Sequence, residues 1–298
     1  MTLAKKVFST IGSIVIIGIL LSFSFENRDW NKYLKDYKIW KEERVSNLKK
    51  PMGYLSMTGL YWISEGENRV GSEENNDIVF PPTLPEEIGV LSLQGDKLKI
   101  DLKTSYNIDD KLENGSVVIR ADVDGKPSMF NKGSNFWYVI KRGDQYGIRM
   151  KDTLAQSRLN FESMPSYDPK EKWLIKGVFK KKESQKIQIT NKVGITYDSD
   201  LAGVVSFLFE GKAYNMTATY SGKRLFVVFA DLTNGMETYG GGRFLYIDLP
   251  EEGEEEILID FNKVENPICA ISDYATCPLP RPENYLDFKV EAGEKKVR

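Results

Sequence analysis

Phe136-Trp137-Tyr138-Val139-Ile140, Arg142-Gly143-Asp144 and Tyr146-Gly147-Ile148-Arg149-Met150 form the stretch that decides the fold. Two short aromatic and β-branched runs flank a glycine turn, which reads as a β-hairpin. The rhythm continues on both sides. Upstream, Leu55–Ile63, Ile78–Phe80, Val90–Leu93, Leu98–Leu102 and Val117–Ala121 read as strands. Gln94-Gly95-Asp96, Asn114-Gly115 and Asp124-Gly125 read as turns between them. Downstream, strands are expected at Trp173–Lys180, Lys186–Thr190, Gly194–Tyr197, Val204–Glu210, Tyr214–Tyr220, Leu225–Ala230, Phe244–Leu249 and Ile257–Phe261. Strands so short and frequent predict a sandwich or barrel, not alternating β-α units. The expected fold is mainly β, with two packed antiparallel sandwich- or barrel-like halves at 51–157 and 173–298. A crossover at 158–172 joins them, with Pro165 and Pro169 bracketing Tyr167.

Upstream of the β region the period changes. Trp30, Tyr33, Leu34, Tyr37, Trp40 and Leu48 share one face of an amphipathic helix over 29–50, packed on the body of the protein. Asn27 or Asp29 would cap it and Pro51 would stop it. Residues 1–25 read as a signal peptide or an uncleaved N-terminal membrane anchor. Lys5 and Lys6 precede the apolar run Ile11–Phe25, and Ser22-Phe23-Ser24 offers small residues where a signal peptidase cuts. The charge bias puts the N-terminus inside and the remainder across the membrane, in the periplasm or at the cell surface. No cysteine follows the run, which excludes a lipoprotein anchor.

Composition narrows the function classes. The 298 residues are 41% hydrophobic and 28% charged, as in a folded globular chain. A net charge of −2 argues against nucleic-acid binding. There is no histidine, which removes the Ser-His-Asp triad and most zinc sites. The acidic turn Glu251–Glu256 lacks the ligand spacing of a calcium loop, and no metal site or cofactor is identified.

Polar chemistry concentrates between Asp231 and Leu286. Asp231 ends an apolar strand, Asn234-Gly235 suits a tight turn, and Glu237 and Tyr239 share one side if extended. Gly240-Gly241-Gly242 leaves bare backbone that a ligand can approach, and Arg243 offers a planar fork for a carboxylate or phosphate. The competing structural reading pairs Glu237 with Arg243 and gives the glycines to a sharp bend. Cys269 and Cys277 lie eight apart before Pro278, Pro280 and Pro282. In an exported protein they are expected to pair as a disulfide; the alternative is a reactive thiol without a histidine partner.

Two resemblances carry further expectations. Asn68-Arg69-Val70-Gly71-Ser72, then Asn76-Asp77-Ile78-Val79-Phe80, resembles the opening of a forkhead-associated domain. That family's phosphothreonine site uses an arginine where Ser72 stands and a histidine that this chain lacks, so only the sandwich geometry is carried over. A second set of pieces covers nearly everything after residue 30. It comprises Pro51 to Trp62, Gly71-Ser72 with Asn76-Asp77-Ile78, Arg142 to Asp152, and Asp231-Leu-Thr-Asn-Gly with Glu237 to Arg243. Asp260-Phe-Asn262, Asn266-Pro267 and Cys269…Cys277-Pro-Leu-Pro…Pro-Glu-Asn284 complete it. These pieces resemble the prokaryotic family called domain of unknown function 1684. The resemblance implies that the polar cluster is a family feature, and that members without export signals share the cysteine pair.

Three functions follow as expectations. The first is a binding module for a small polar or anionic ligand, with Asp231, Thr233, Glu237, Tyr239, Gly241 and Arg243 lining a pocket. The loop Asn266–Asn284 would wall it, with Asn266, Asp273 and Glu283 contributing. The second is a histidine-free hydrolase using Asp231, Glu237 and Asp260 as acid and base, or as Mg²⁺ or Ca²⁺ ligands. The third is a cell-envelope scaffold whose polar cluster is an internal hydrogen-bonded network. The membrane is a partner only if the leader stays uncut.

Overall fold

Alternation along the strands sets the architecture. In the computed structural model, which describes residues 30–182 and 184–297, β5 (Lys97–Ile108) turns Leu98, Ile100, Leu102, Tyr106 and Ile108 inward. Strands account for 46% of the described residues, and they build two nearly closed, barrel-like sheets. The first runs β1 (Met57–Trp62), β9 (Gln145–Asp152), β8 (Asn135–Arg142), β7 (Phe130–Lys132), β5, β4 (Gly89–Gln94), β2 (Gly66–Gly71) and β3 (Ile78–Val79), with β6 (Lys111–Ile119) beside β5. The second runs β15 (Arg243–Asp248), β14 (Arg224–Phe229), β13 (Lys212–Ser221), β12 (Thr196–Phe209), β10 (Leu174–Lys181) and β16 (Glu256–Asp260), with β11 (Lys186–Thr190) beside β12. A bridge between Phe244 and Glu265 draws the two ends of the second sheet together. The pairings are antiparallel except for the short parallel pair β2–β3.

Each sheet wraps its own apolar core. Trp137 lies fully buried in the first, stacked on Phe130 with ring centres 3.6 Å apart. Trp173 plays the same part in the second, stacked on Phe209 at 5.3 Å. The two halves nevertheless belong to one compact unit, Lys41–Arg298. The hairpin turn between β8 and β9 shows how closely they meet: a Cβ at Gly143, whose φ is +56°, would come within 2.8 Å of Ile195.

Helix α1 (Trp30–Leu48) forms close to the expected range. Trp30, Tyr33 and Tyr37 stack in sequence along it, and Trp40 lies tilted against Tyr37. Its last residue, Leu48, packs with Leu55 and Met164. The leader 1–25 lies outside the described residues. Among those described, no helix is long and apolar enough to cross a membrane.

Three sequence expectations change. The Asn114-Gly115 turn lies inside β6, where Gly115 (φ +64°) faces Leu102 at a register break; the hairpin turns instead at Asp109-Asp110, both with positive φ. Strands β2 and β7 had no strand signal. The runs Gly194–Tyr197 and Val204–Glu210 merge into the single long β12. The crossover is also more than a link. After helix α2 (Gln156–Leu159) it pairs with the C-terminal tail, Tyr167 N–H donating to the Gly293 carbonyl at 2.9 Å and Lys295 N–H to Pro165 at 2.8 Å.

Candidate functional site

The turn after β14 is built by its own side chains. The Asp231 carboxylate accepts from Thr233 N–H at 2.8 Å, Asn234 Oδ1 accepts from Asp231 N–H at 2.7 Å, and the Thr233 and Thr238 hydroxyls bond at 2.8 Å. Gly242 is required where it stands: its φ is +97°, and a Cβ there would lie 2.5 Å from the Pro280 ring. The glycine run therefore accepts the proline loop.

Arg243 then points into the protein, and this corrects its expected role. It is fully buried, with Nη1 3.0 Å from Asp231 Oδ2 and 2.8 Å from the Val290 carbonyl, and Nη2 on the Ala292 carbonyl. Val290 N–H donates to the other Asp231 oxygen at 3.2 Å. Asp231 and Arg243 form a clasp around the tail, and the groups a ligand would use are filled by residues 290–292. Burial lowers the Arg243 pKa, with Asp231 opposing the shift. Thr233, fully buried, belongs to the same clasp. An open pocket at this turn, anchored on Arg243, is not what the chain builds, and Asp231 held against an arginine is no general acid.

The remaining expected residues disperse. Glu237 is near the surface, accepting from the Tyr167 hydroxyl at 2.8 Å; that bond, with Lys289 and Lys295, lowers its pKa. Gly241 is half-buried under Tyr239, whose ring a Cβ there would meet at 2.5 Å. Tyr239 packs on a small core containing both cysteines. Asp260 caps a one-turn helix by accepting from Asn262 N–H at 3.1 Å. Asn266 joins a second buried node: its N–H donates to Glu294 at 2.6 Å and its side chain to the Lys295 carbonyl at 2.7 Å. Arg44 completes that node, 3.0 Å from Glu265 and 3.2 Å from Glu294. Asp273 is exposed, and Glu283 pairs with Arg281 at 2.5 Å, engaged with other elements than the clasp. Thus Asp231, Thr233 and Arg243 come together; Glu237, Asp260, Asn266, Asp273 and Glu283 each serve separate contacts.

A different cluster lies where β9 meets the loop 266–284. Along β9, Ile148 and Met150 face the first core, so Arg149 and Lys151 face the other way. They would be solvent-facing in an isolated sheet, but here they are only 7% and 8% exposed. Arg149 meets no carboxylate among the described residues. Its Nη2 stands 3.5 Å from Thr276 Oγ1, and its buried Nε has no partner. The Lys151 ammonium donates to the Met52 carbonyl and lies 5.9 Å from the centre of the Tyr138 ring. Burial, reinforced by Arg149, lowers its pKa to about 8. Arg142 reaches the same threonine at 3.3 Å and is neutralised by Asp122 at 2.9 Å.

The two thiols lie on the same side. Cys269 N–H donates to Cys277 Sγ at 3.1 Å, and Cys277 N–H to Cys269 Sγ at 3.3 Å. Both are buried thiols in this structure. The hydrogen bond from Cys277 lowers the Cys269 pKa, with Lys192 and Arg149 adding their fields. The same bond and burial raise that of Cys277. Alternation in Ile148-Arg149-Met150-Lys151 put the two cations on one face of the strand, with Asp152 following on the opposite face, and that pairing was the available signal.

Comparison with known proteins adds a family. Among curated proteins none matches. A solution NMR structure of an uncharacterized protein from Haloarcula marismortui is 28% identical, covering 47% of this chain and 80% of its own, with a TM-score of 0.40. Residues 159–295 match the family described as "Protein of unknown function (DUF1684)". The match includes the clasp, Thr276 and both cysteines, whereas Arg149, Lys151 and the pieces quoted before residue 158 lie outside it. The stretch from the crossover to the tail, residues 159–295, is thus similar to a domain of unknown function 1684.

Proposed function

We propose that this protein is an exported binding module for a small anionic ligand, held where Arg149 and Lys151 face the loop 266–284. One observation carries the reading: two buried cations stand side by side with no carboxylate among the described residues to compensate them. An isolated buried charge costs several kcal/mol, and such a cost is characteristic of sites shaped for a partner absent from the fold itself. Elsewhere this chain neutralises its buried cations, Arg243 with Asp231 and Arg44 with Glu265 and Glu294. Arg149 supplies a planar fork with a free Nε, Lys151 a point charge, and Thr276 a hydroxyl, the donor set an oxyanion or carboxylate takes. Export rests on Lys5, Lys6 and the apolar run Ile11–Phe25.

Thermal unfolding with added inorganic phosphate or sulfate tests this. A ligand that binds only the folded state stabilises it by about 2.7 kcal/mol at one hundred times its Kd. The unaltered chain is expected to gain stability with either anion beyond a sodium chloride control. Arg149→Met and Lys151→Met should lose that gain while remaining folded. Equal responses in all three chains would place anion binding elsewhere and overturn the proposal.

A further inference from the structure

Resting on that reading, we infer that Cys269 and Cys277 form a reversible dithiol–disulfide couple, and that the anion taken at Arg149 and Lys151 is an acidic low-molecular-weight disulfide that oxidises them. The geometry is reciprocal: each sulfur accepts the other residue's backbone N–H, at 3.1 and 3.3 Å, which holds the side chains against one another. The Cys269 thiol also donates to the Ala275 carbonyl at 3.3 Å, inside the same loop. A disulfide between them needs no rearrangement of distant elements. The loop they close exposes Asp273 and Tyr274 at its tip.

The two sulfurs are not equivalent. Cys269 lies in the field of Arg149 and Lys192 and accepts hydrogen bonds that favour its thiolate. Cys277 keeps its proton. An attacking thiolate beside a protonated resolving thiol is the arrangement that thiol–disulfide exchange uses. Arg149, which favours the thiolate, would with Lys151 orient the carboxylates of an acidic disulfide, placing its S–S bond near Cys269.

The exchange balances in two steps. Cys269 thiolate attacks one sulfur of the ligand disulfide, forming a mixed disulfide and expelling one ligand thiolate. Cys277 gives up its proton and attacks Cys269 Sγ, forming the Cys269–Cys277 bond and expelling the second ligand thiolate. Two electrons pass from the protein to the ligand. The protons lost by the two cysteines are matched by those taken up by the two leaving thiolates.

The test uses the reduced full chain with two oxidants: oxidised glutathione, which is acidic, and bis(2-hydroxyethyl) disulfide, which is neutral. Intact mass should show the loss of two hydrogens with glutathione disulfide. Cys277→Ser should trap one glutathione at Cys269, and Cys269→Ser should trap none. Phosphate should slow the acidic oxidant far more than the neutral one, which it reaches only by damping the Arg149 field at Cys269, a readout that needs no variant. Arg149→Met should slow the acidic oxidant roughly tenfold or more, the scale of electrostatic steering, and the neutral one much less, since that oxidant loses only the Arg149 field at Cys269. Thiols inert to both oxidants, with phosphate stabilisation intact, would refute the couple and leave the anion site standing. Oxidation at equal rates by both, insensitive to phosphate and Arg149, would refute the acidic substrate. Rapid oxidation without any phosphate stabilisation would remove the anion site, and the assigned oxidant with it.

Discussion

Replacing Arg243 with methionine should loosen the tail of the second half without touching the anion site. The side chain is fully buried, so solvent and salt screen its contacts little. Removal strands the Asp231 carboxylate, which keeps only the N–H groups of Thr233 and Val290 at 2.8 and 3.2 Å. It also orphans the Val290 and Ala292 carbonyls. Breaking one partner of a buried ion pair costs roughly 3–5 kcal/mol. For a chain of this size that lowers Tm by roughly 6–20 °C, at about 2–4 °C per kcal/mol. Urea denaturation followed by tryptophan fluorescence gives the free energy, and Asp231→Leu with the double variant completes a cycle. Since the double variant removes both charges, its loss should fall well short of the sum of the single losses. The reasoning is refuted if Arg243→Met stays within about 0.5 kcal/mol of the parent, the range of inert surface changes, or if it abolishes anion stabilisation while leaving the fold intact.

Other outcomes follow from the same geometry. The folded pKa of Lys151 is depressed from 10.5 to about 8, so its charge costs the folded state stability below pH 8. That cost fades as pH rises from about 8 to 10.5, where the unfolded chain holds the extra proton. Lys151→Met should therefore stabilise the ligand-free protein at pH 7 by up to about 3 kcal/mol and flatten the rise in urea midpoint above pH 8; a destabilised variant would contradict this. Gly242→Ala meets Pro280 at 2.5 Å with φ +97°, whereas Gly235→Ala has φ +80° and open space. Thermal melts should show the Gly242 variant losing more than about 1 kcal/mol and clearly more than Gly235→Ala; equal losses would mean that the proline loop does not close on this turn.

Much of the fold was legible because inward residues recur with period two on strands such as β5 and β12, and because Lys186–Thr190 is bounded by clear breaks. The hairpin at Asp109-Asp110 was not legible, since the stronger turn signal Asn114-Gly115 is used for a bulge inside β6. Arg243 was read as a ligand anchor because nothing near it in sequence reveals that residues 290–292 return to cover it. Arg149 and Lys151 were hidden for the opposite reason. Their alternation is that of an ordinary wet face, and only the second half, joined more than a hundred residues later at Thr276, removes the water. Local pattern gives a residue's side of a sheet; it does not give what covers that side.

The central claim is that Arg149 and Lys151 await an anion, and calorimetric titration with sulfate near pH 8 tests it most directly. Sulfate keeps both charges throughout this range, so any proton taken up belongs to the protein. Lys151 is close to half-protonated there, and a bound dianion should draw it towards full charge. Cys269, in the same field, shifts in the same direction. Repeating the titration in buffers of different ionisation heat should show uptake of roughly half a proton or more per sulfate bound, weakening affinity as pH rises, and no binding by Arg149→Met. Absence of binding, binding that Arg149→Met retains, or proton release on binding would contradict the account.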